Sequence, residues 1–268
     1  MPLRQIIPSI VDLDMGGGCI RIATAGQGTP IVMLHGWTLD HRSWAPQLPL
    51  SKQARLIMPD RRGFGASTAP PDLSCEWQDV DLIAGPEPFV LVGMSQGASV
   101  ALDVARRRPD RVKALILAGA PLHGVVANDD DETPIPRTRY ATMIRAGQLA
   151  AVKADWARSP LVRTKAIGWP LLSAMLNDYD GRDLLGPTTG ITISADDIAA
   201  LPMPVLSITG ARDTRWRRQV SAFIGNTAPQ GRMVSIDHAG HLCNIDHPAR
   251  FNAVLASFVT EIPSTSIH

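Results

Sequence analysis

The residues best suited to chemistry are a serine, an aspartate and a histidine set far apart in the chain. Ser95 is the middle of Gly93-Met94-Ser95-Gln96-Gly97. The apolar run Phe89-Val90-Leu91-Val92 precedes it, and small and apolar residues at helical spacing follow it as far as Arg108-Pro109. That order reads as strand, sharp turn and helix, with a glycine at each point where the two backbones must nearly touch. The apex residue is then held in strained geometry, its side chain pushed clear of the sheet and above the free N–H groups of the helix. Such a place suits a nucleophile that passes through an oxyanion.

A serine hydroxyl needs a base within hydrogen-bond reach, and the base needs a carboxylate to fix its tautomer. The order sought is nucleophile, acid, base, each just past the C-terminal end of a strand. Asp213, in Gly210-Ala211-Arg212-Asp213-Thr214, follows the apolar run 205–209 and is the acid candidate. Its plainer reading is a turn aspartate capping the next helix. Gly119-Ala120-Pro121, after the run 114–118, offers no acid in its place. His241 follows the run 232–236, and the small residues before it let a loop carry it over the sheet edge. His238, nearer the strand end, is the alternative base, and His247, before Pro248, marks the start of the last helix. No further ligand-type residue stands at metal-binding spacing beside these three, so neither a metal nor a cofactor is expected. The oxyanion needs two donors: the backbone N–H of Gln96, after the nucleophile, and that of Trp37, after Gly36. His35, ahead of the serine in the chain, reads as a residue that locks its loop.

The elements that must position these residues can be read in order. Strands are expected at 10–13 and 20–23 around Gly16-Gly17-Gly18, then at 31–34, 55–59, 89–92 and 114–118. Helices are expected at 41–48, with Asp40 as cap, within 74–84, and after Ser95. From 122 to 201 the rhythm changes to a charged loop at 128–132 and helices at 139–156 and 169–176, with no strand of parallel-sheet type. Strands return at 205–209 and 232–236, with helices at 220–224 and 248–259. Strands alternating with helices imply α/β architecture with right-handed crossovers. The expected fold is a mostly parallel, doubly wound sheet of about eight strands. Its core is 1–121 with 202–268, and 122–201 is an inserted helical cap.

The chain has 268 residues, 45% of them hydrophobic, enough for a sizeable core. Lys and Arg number 26 against 25 Asp and Glu, a formal charge of +1 that asks for neither nucleic acid nor an anionic membrane. Cys19, Cys75 and Cys243 are too few and too scattered for a disulfide framework or a metal pattern. Free thiols, no cleavage-type opening sequence and no membrane-length apolar run lead to the expectation of a cytoplasmic protein. Its expected partner is a small molecule, and its expected state is monomer or homodimer.

His35-Gly36-Trp37, Asp60-Arg61-Arg62-Gly63-Phe64-Gly65-Ala66-Ser67, Gly93-Met94-Ser95-Gln96-Gly97, Gly210-Ala211-Arg212-Asp213 and Gly240-His241 fall in one order across nearly the whole chain. In this the chain resembles the α/β-hydrolase fold superfamily, with the helical insert where that family carries its cap. Serine at position 95 separates it from the haloalkane dehalogenase and epoxide hydrolase branches, which use aspartate there. In style it is similar to small carboxylesterases, enol-lactonases and carbon–carbon bond hydrolases. The segment between Ser67 and Phe89 is shorter than usual for the family, so thin cover of the sheet is expected there. The resemblance implies a serine hydrolase acting on an ester, thioester or lactone through an acyl-enzyme on Ser95. The alternatives are a carbon–carbon hydrolase, lyase or acyltransferase using the same residues, or a ligand receptor on the same fold. Met94, Leu122, Trp156, Trp169 and Leu242 are the candidate pocket residues for a largely apolar substrate. Trp37 and Met175 are further candidates, and each of these is as readily core.

Overall fold

Six consecutive apolar or small residues, all of them buried, form a strand covered on both sides. That strand, Phe89–Met94, lies in the middle of an eight-stranded sheet. The structure is a computed structural model and describes residues 6–128, 135–187 and 190–262. The strands are β1 (Ser9–Asp14), β2 (Cys19–Ala25), β3 (Pro30–Leu34), β4 (Arg55–Pro59), β5 (Phe89–Met94), β6 (Val112–Ala118), β7 (Val205–Gly210) and β8 (Gly231–Ile236). Their spatial order is β1-β2-β4-β3-β5-β6-β7-β8. The β1–β2 and β2–β4 pairings are antiparallel, and β3–β4, β3–β5, β5–β6, β6–β7 and β7–β8 are parallel. The C-terminal ends of the parallel strands therefore face one way, and the loops that leave them share one rim.

The period of two along β5 divides the core between the faces of the sheet. Val90, Val92 and Met94 join one layer, with Trp44, Phe251 and Leu255. Phe89 and Leu91 join the other. That second layer is closed by α1 (Glu76–Ala84), α2 (Gln96–Arg107) and α7 (Arg215–Thr227). The helix α1 has only nine residues, yet Val80, Ile83 and Ala84 cover that flank, where Val32, Leu34, Ile57 and Leu91 are buried; Leu82, 57% exposed, lies on its outer side.

The first layer is closed by a 3₁₀ helix at His41–Lys52, by α9 (Pro248–Thr260), and by side chains from the segment between β6 and β7. The 3₁₀ helix is capped by the Asp40 side chain and carries Pro46 and Pro49, which cannot donate to an α-helical ladder. Between β6 and β7 the described residues form α3 (Arg137–Arg145), α4 (Leu149–Trp156), α5 (Trp169–Asp178) and α6 (Ala195–Ala199), with no strand among them. The helix expected at 139–156 is two helices, because Gly147 at φ 73° turns the chain out of the helix. The charged loop expected at 128–132 falls, after Asn128, outside the described residues. The short α8 (Cys243–Asp246) precedes α9. No helix among the described residues is long and apolar enough to cross a membrane.

Candidate active site

Ser95 stands between β5 and α2 with φ 52° and ψ −119°, a conformation that few residues other than glycine adopt. The steric reason is local. A Cβ on Gly93 would lie 2.5 Å from the Gly97 carbonyl oxygen, and a Cβ on Gly97 would lie 2.3 Å from that of Leu34. The Ser95 N–H donates to the Ala118 oxygen at 2.8 Å, tying the bend to the neighbouring strand. The loop after β3 lies directly against the serine, since a Cβ on Gly36 would be 3.3 Å from Ser95 Cβ.

The loops after β7 and β8 bring Asp213 and His241 together. His241 Nδ1–H donates to Asp213 Oδ2 at 3.0 Å, and the Thr214 N–H donates to Asp213 Oδ1 at 2.8 Å. A carboxylate can only accept, so Nδ1 carries the proton of this bond, and in the neutral imidazole the lone pair is then on Nε2. Both side chains are almost wholly buried. His241 Nε2 is itself buried and has no hydrogen-bond partner among the described residues. The ring rests on Gly119, where a Cβ would come within 2.7 Å of His241 Cε1 and 3.3 Å of Met94 Cε. His238 is exposed, with its Nδ1 3.5 Å from an Arg212 nitrogen, and His247 stands at the junction of α8 and α9. Of the three clustered histidines, only His241 lines the cavity that holds Ser95.

That cavity is about 10 Å³ and is walled by Trp37, Leu39, Trp156, Leu161, Val162 and Leu242 besides Ser95 and His241. It has room for about one water molecule. A larger space of about 310 Å³ lies beyond the Thr38–Leu39 wall and is lined by neither Ser95 nor His241. Among the candidate pocket residues, Trp156, Leu242 and Trp37 line the small cavity, whereas Met94 is core beneath His241. Two expectations need correction. Trp169 is 47% exposed in the first turn of α5, and Leu122 is buried in the layer on the opposite face of the sheet, with residues of α2 and α7. Met175 lines the larger space.

The two oxyanion-donor candidates flank the serine. Among the described residues neither the Trp37 nor the Gln96 backbone N–H donates to backbone outside the regular elements. The Gln96 side chain accepts from Arg61 Nη1 at 3.1 Å. Arg61 is buried, pairs with Glu76 and also donates to the His35 carbonyl. His35 accepts from the Arg61 N–H at Nε2 and donates from Nδ1 to the Gly36 carbonyl, so it joins the loops after β3 and β4. Burial, with the Arg61 charge beside it, pushes its pKa down to about 4. Burial likewise raises the Glu76 carboxyl in spite of the Arg61 guanidinium.

Sequence reasoning missed two buried aspartates. Asp246 accepts from the Gly240 N–H at 2.7 Å, and from the Thr164 hydroxyl and Lys165 N–H at 2.6 and 2.9 Å. It thus ties the His241 loop to the segment beside the cavity wall. Asp183 accepts from Trp37 Nε1 at 2.8 Å and from the Tyr179 hydroxyl at 2.6 Å, and burial raises its carboxyl. Nothing in the spacing marks either one. Among the described residues Asp40, His41 and Asp60 form a group whose ligand atoms lie within 4.8 Å of one another. Their oxygens already serve Arg42, His41 and the Ala66 N–H, so a metal would have to displace those donors.

A family model described as the alpha/beta hydrolase family matches residues 31–254. The chain belongs to this family. The hydrolase is 30% identical over 88% of its length to a pimeloyl-[acyl-carrier protein] methyl ester esterase of Edwardsiella ictaluri, covering 95% of that protein. It is 28% identical to the 2-hydroxymuconate semialdehyde hydrolase of Pseudomonas sp. strain CF600, covering 91% of each chain. The enol-lactonase of Burkholderia xenovorans LB400 has the same fold, with a TM-score of 0.77, 20% identity, and coverage of 94% of this chain and all of that one.

Proposed function

We propose that this hydrolase cleaves a carboxylic ester, thioester or lactone through an acyl-enzyme on Ser95. The observation that carries the reading is the buried Asp213–His241 pair, whose imidazole lines the cavity that also holds the strained serine and whose Nε2 has no partner among the described residues. In the first half-reaction, His241 Nε2 takes the Ser95 hydroxyl proton as Oγ bonds to the substrate carbonyl carbon. The carbonyl π pair moves to oxygen, where the N–H groups of Trp37 and Gln96 hold it. Collapse of the adduct expels the alkoxide or thiolate, which takes the proton from His241. Water then repeats the cycle with the same base and releases the acid and free Ser95. Asp213 holds the imidazole in the required tautomer and stabilises its cation.

The apolar cavity wall supports an apolar group beside the scissile bond. Segment 122–201 is the cap in this reading. Because the cavity holds only about one water, its wall at Leu161 and Val162 must yield in this reading to admit an acyl group. A cytoplasmic setting and action as monomer or homodimer complete the reading; three free thiols, at Cys19, Cys75 and Cys243, support a reducing compartment. The test is turnover of p-nitrophenyl acetate and butyrate, together with fluorophosphonate labelling and peptide mapping. Ser95→Ala should lower kcat by about 10⁴- to 10⁶-fold and abolish the label. Unchanged turnover by Ser95→Ala, or a label mapped elsewhere, overturns the reading.

The similarity to a semialdehyde hydrolase favours one second reading, hydrolysis of an activated carbon–carbon bond with the same residues. Product analysis separates the two: the ester route yields an acid with an alcohol or thiol, or a single hydroxy acid from a lactone, whereas carbon–carbon cleavage yields an acid and a fragment that gains its proton at carbon.

A further inference from the structure

Trp37 stands between a glycine and a residue in unusual geometry. Gly36 imposes little on the backbone, and Thr38 has φ 64°, in the left-handed region that non-glycine residues seldom enter. No regular element holds the peptide joining Gly36 and Trp37; its carbonyl accepts from His35 Nδ1 at 2.8 Å and from the Leu39 N–H at 3.3 Å, and the two side chains that follow it, Trp37 and Thr38, add a second hold on its N–H end. Both are held from the helical segment between β6 and β7. Trp37 Nε1 donates to Asp183 Oδ2 at 2.8 Å, and Trp156 Nε1 donates to Thr38 Oγ1 at 3.0 Å. The Trp37 ring also meets Trp156 edge-on at 4.5 Å and Tyr179 at 6.0 Å between centroids.

Asp183 is a firm anchor. Its other oxygen accepts from the Tyr179 hydroxyl. The preceding residue, Arg182, donates to the Ser67 and Gly65 carbonyls at 2.9 and 2.8 Å, so this part of the segment is fastened to the loop after β4. Gly63 packs so closely there that a Cβ would lie 3.0 Å from Asp183 Cα. The anchor is thus separate from the Leu161–Val162 wall, which has to yield to substrate.

We propose that Asp183 is a positioning residue for catalysis. By holding the Trp37 indole N–H, it aims the Trp37 backbone N–H at the oxyanion formed on the Ser95 adduct. This rests on the acyl-enzyme reading above, with Trp37 as one of its two donors. A misaimed donor weakens the transition state while leaving ground-state binding nearly intact, so the loss falls on kcat.

The test compares Asp183→Leu, Asp183→Asn and Trp37→Phe with p-nitrophenyl acetate, following kcat, KM and the Ki of a trifluoromethyl ketone. Such a ketone forms a tetrahedral oxyanion on the serine. Asp183→Leu should lower kcat by about 10- to 100-fold, change KM by less than about threefold, and raise the ketone Ki in parallel with the kcat loss. Asp183→Asn should recover most of the loss, because an amide oxygen still accepts the indole N–H. Trp37→Phe removes the same bond from its other end, and its loss should not add to that of Asp183→Leu. It also serves as the test if Asp183→Leu fails to fold. A kcat within twofold of the parent in Trp37→Phe overturns the proposal, as does a loss carried by KM with the ketone Ki unmoved. If Ser95→Ala retains turnover, the acyl-enzyme reading itself has failed. If Ser95→Ala is inactive while Trp37→Phe is not impaired, only the positioning role falls.

Discussion

Two buried carboxylates each accept a ring N–H from a residue that lines the Ser95 cavity. Asp213 takes the imidazole of His241 at 3.0 Å, and Asp183 takes the indole of Trp37 at 2.8 Å. The geometry is alike, but the regions that supply it differ. Asp213 leaves the end of β7, a strand buried along its whole length, and reaches a ring on the loop of the adjacent strand β8. Asp183 belongs to a short 3₁₀ helix at Arg182–Leu185 outside the sheet, and meets a tryptophan 146 residues away in sequence. The chemistry of the two rings differs more. An imidazole has two nitrogens, and its partner decides which one can accept a proton. An indole has one donor and nothing to decide, so its partner can fix only position.

The same substitution at both sites should split them. Asp213→Asn should lower kcat by about 10⁴-fold, because an amide N–H can hold the imidazole in the wrong tautomer. Asp183→Asn should cost far less, since the indole still finds an acceptor. Comparable losses in kcat at the two positions would end the distinction. A smaller effect concerns acid stability and the Trp37 side. His35, beside Gly36, is buried and neutral, with its pKa pushed down to about 4 against about 6.5 in the unfolded chain. Unfolding therefore takes up a proton between these values. The contribution is full above pH 6.5, falls as the pH drops toward 4, and amounts to about 2 kcal/mol between pH 7.5 and pH 5. Urea midpoints at the two pH values should show the fall in the parent and a smaller one in His35→Asn; equal falls would remove His35 as the cause. The smallest effect is expected at Trp169, which is 47% exposed and outside the cavity. Trp169→Ala should change kcat/KM by less than about threefold, as an exposed change remote from packing does; a large rise in KM would return it to the pocket.

The features that the sequence exposed are those with local causes. Gly93 and Gly97 announce a bend because a Cβ there would meet backbone within a few residues or on the adjacent strand. The buried strands announce themselves by composition. Gly147 carries a weaker signal, because a glycine within a helical pattern can be tolerated or can end the helix. Here its positive φ ends α3, and α4 starts afresh, bringing Trp156 to Thr38. Leu122 and Trp169 are apolar, and that character is the same on either face of a sheet and at an exposed helix end, so it does not place a residue in a pocket.

By itself, the sequence determined the strand–bend–helix unit that strains Ser95, the alternation that builds a parallel sheet, and the membership in the family. Each follows from the sterics and burial of neighbouring residues. Only the tertiary structure decided that His241, with its ring on Gly119, turns inward while His238 stays exposed. It also decided that Asp183 arrives at Trp37 and that the cavity is small. Those outcomes depend on side chains that meet across more than a hundred residues of chain or between adjacent loops, and no local preference encodes such meetings.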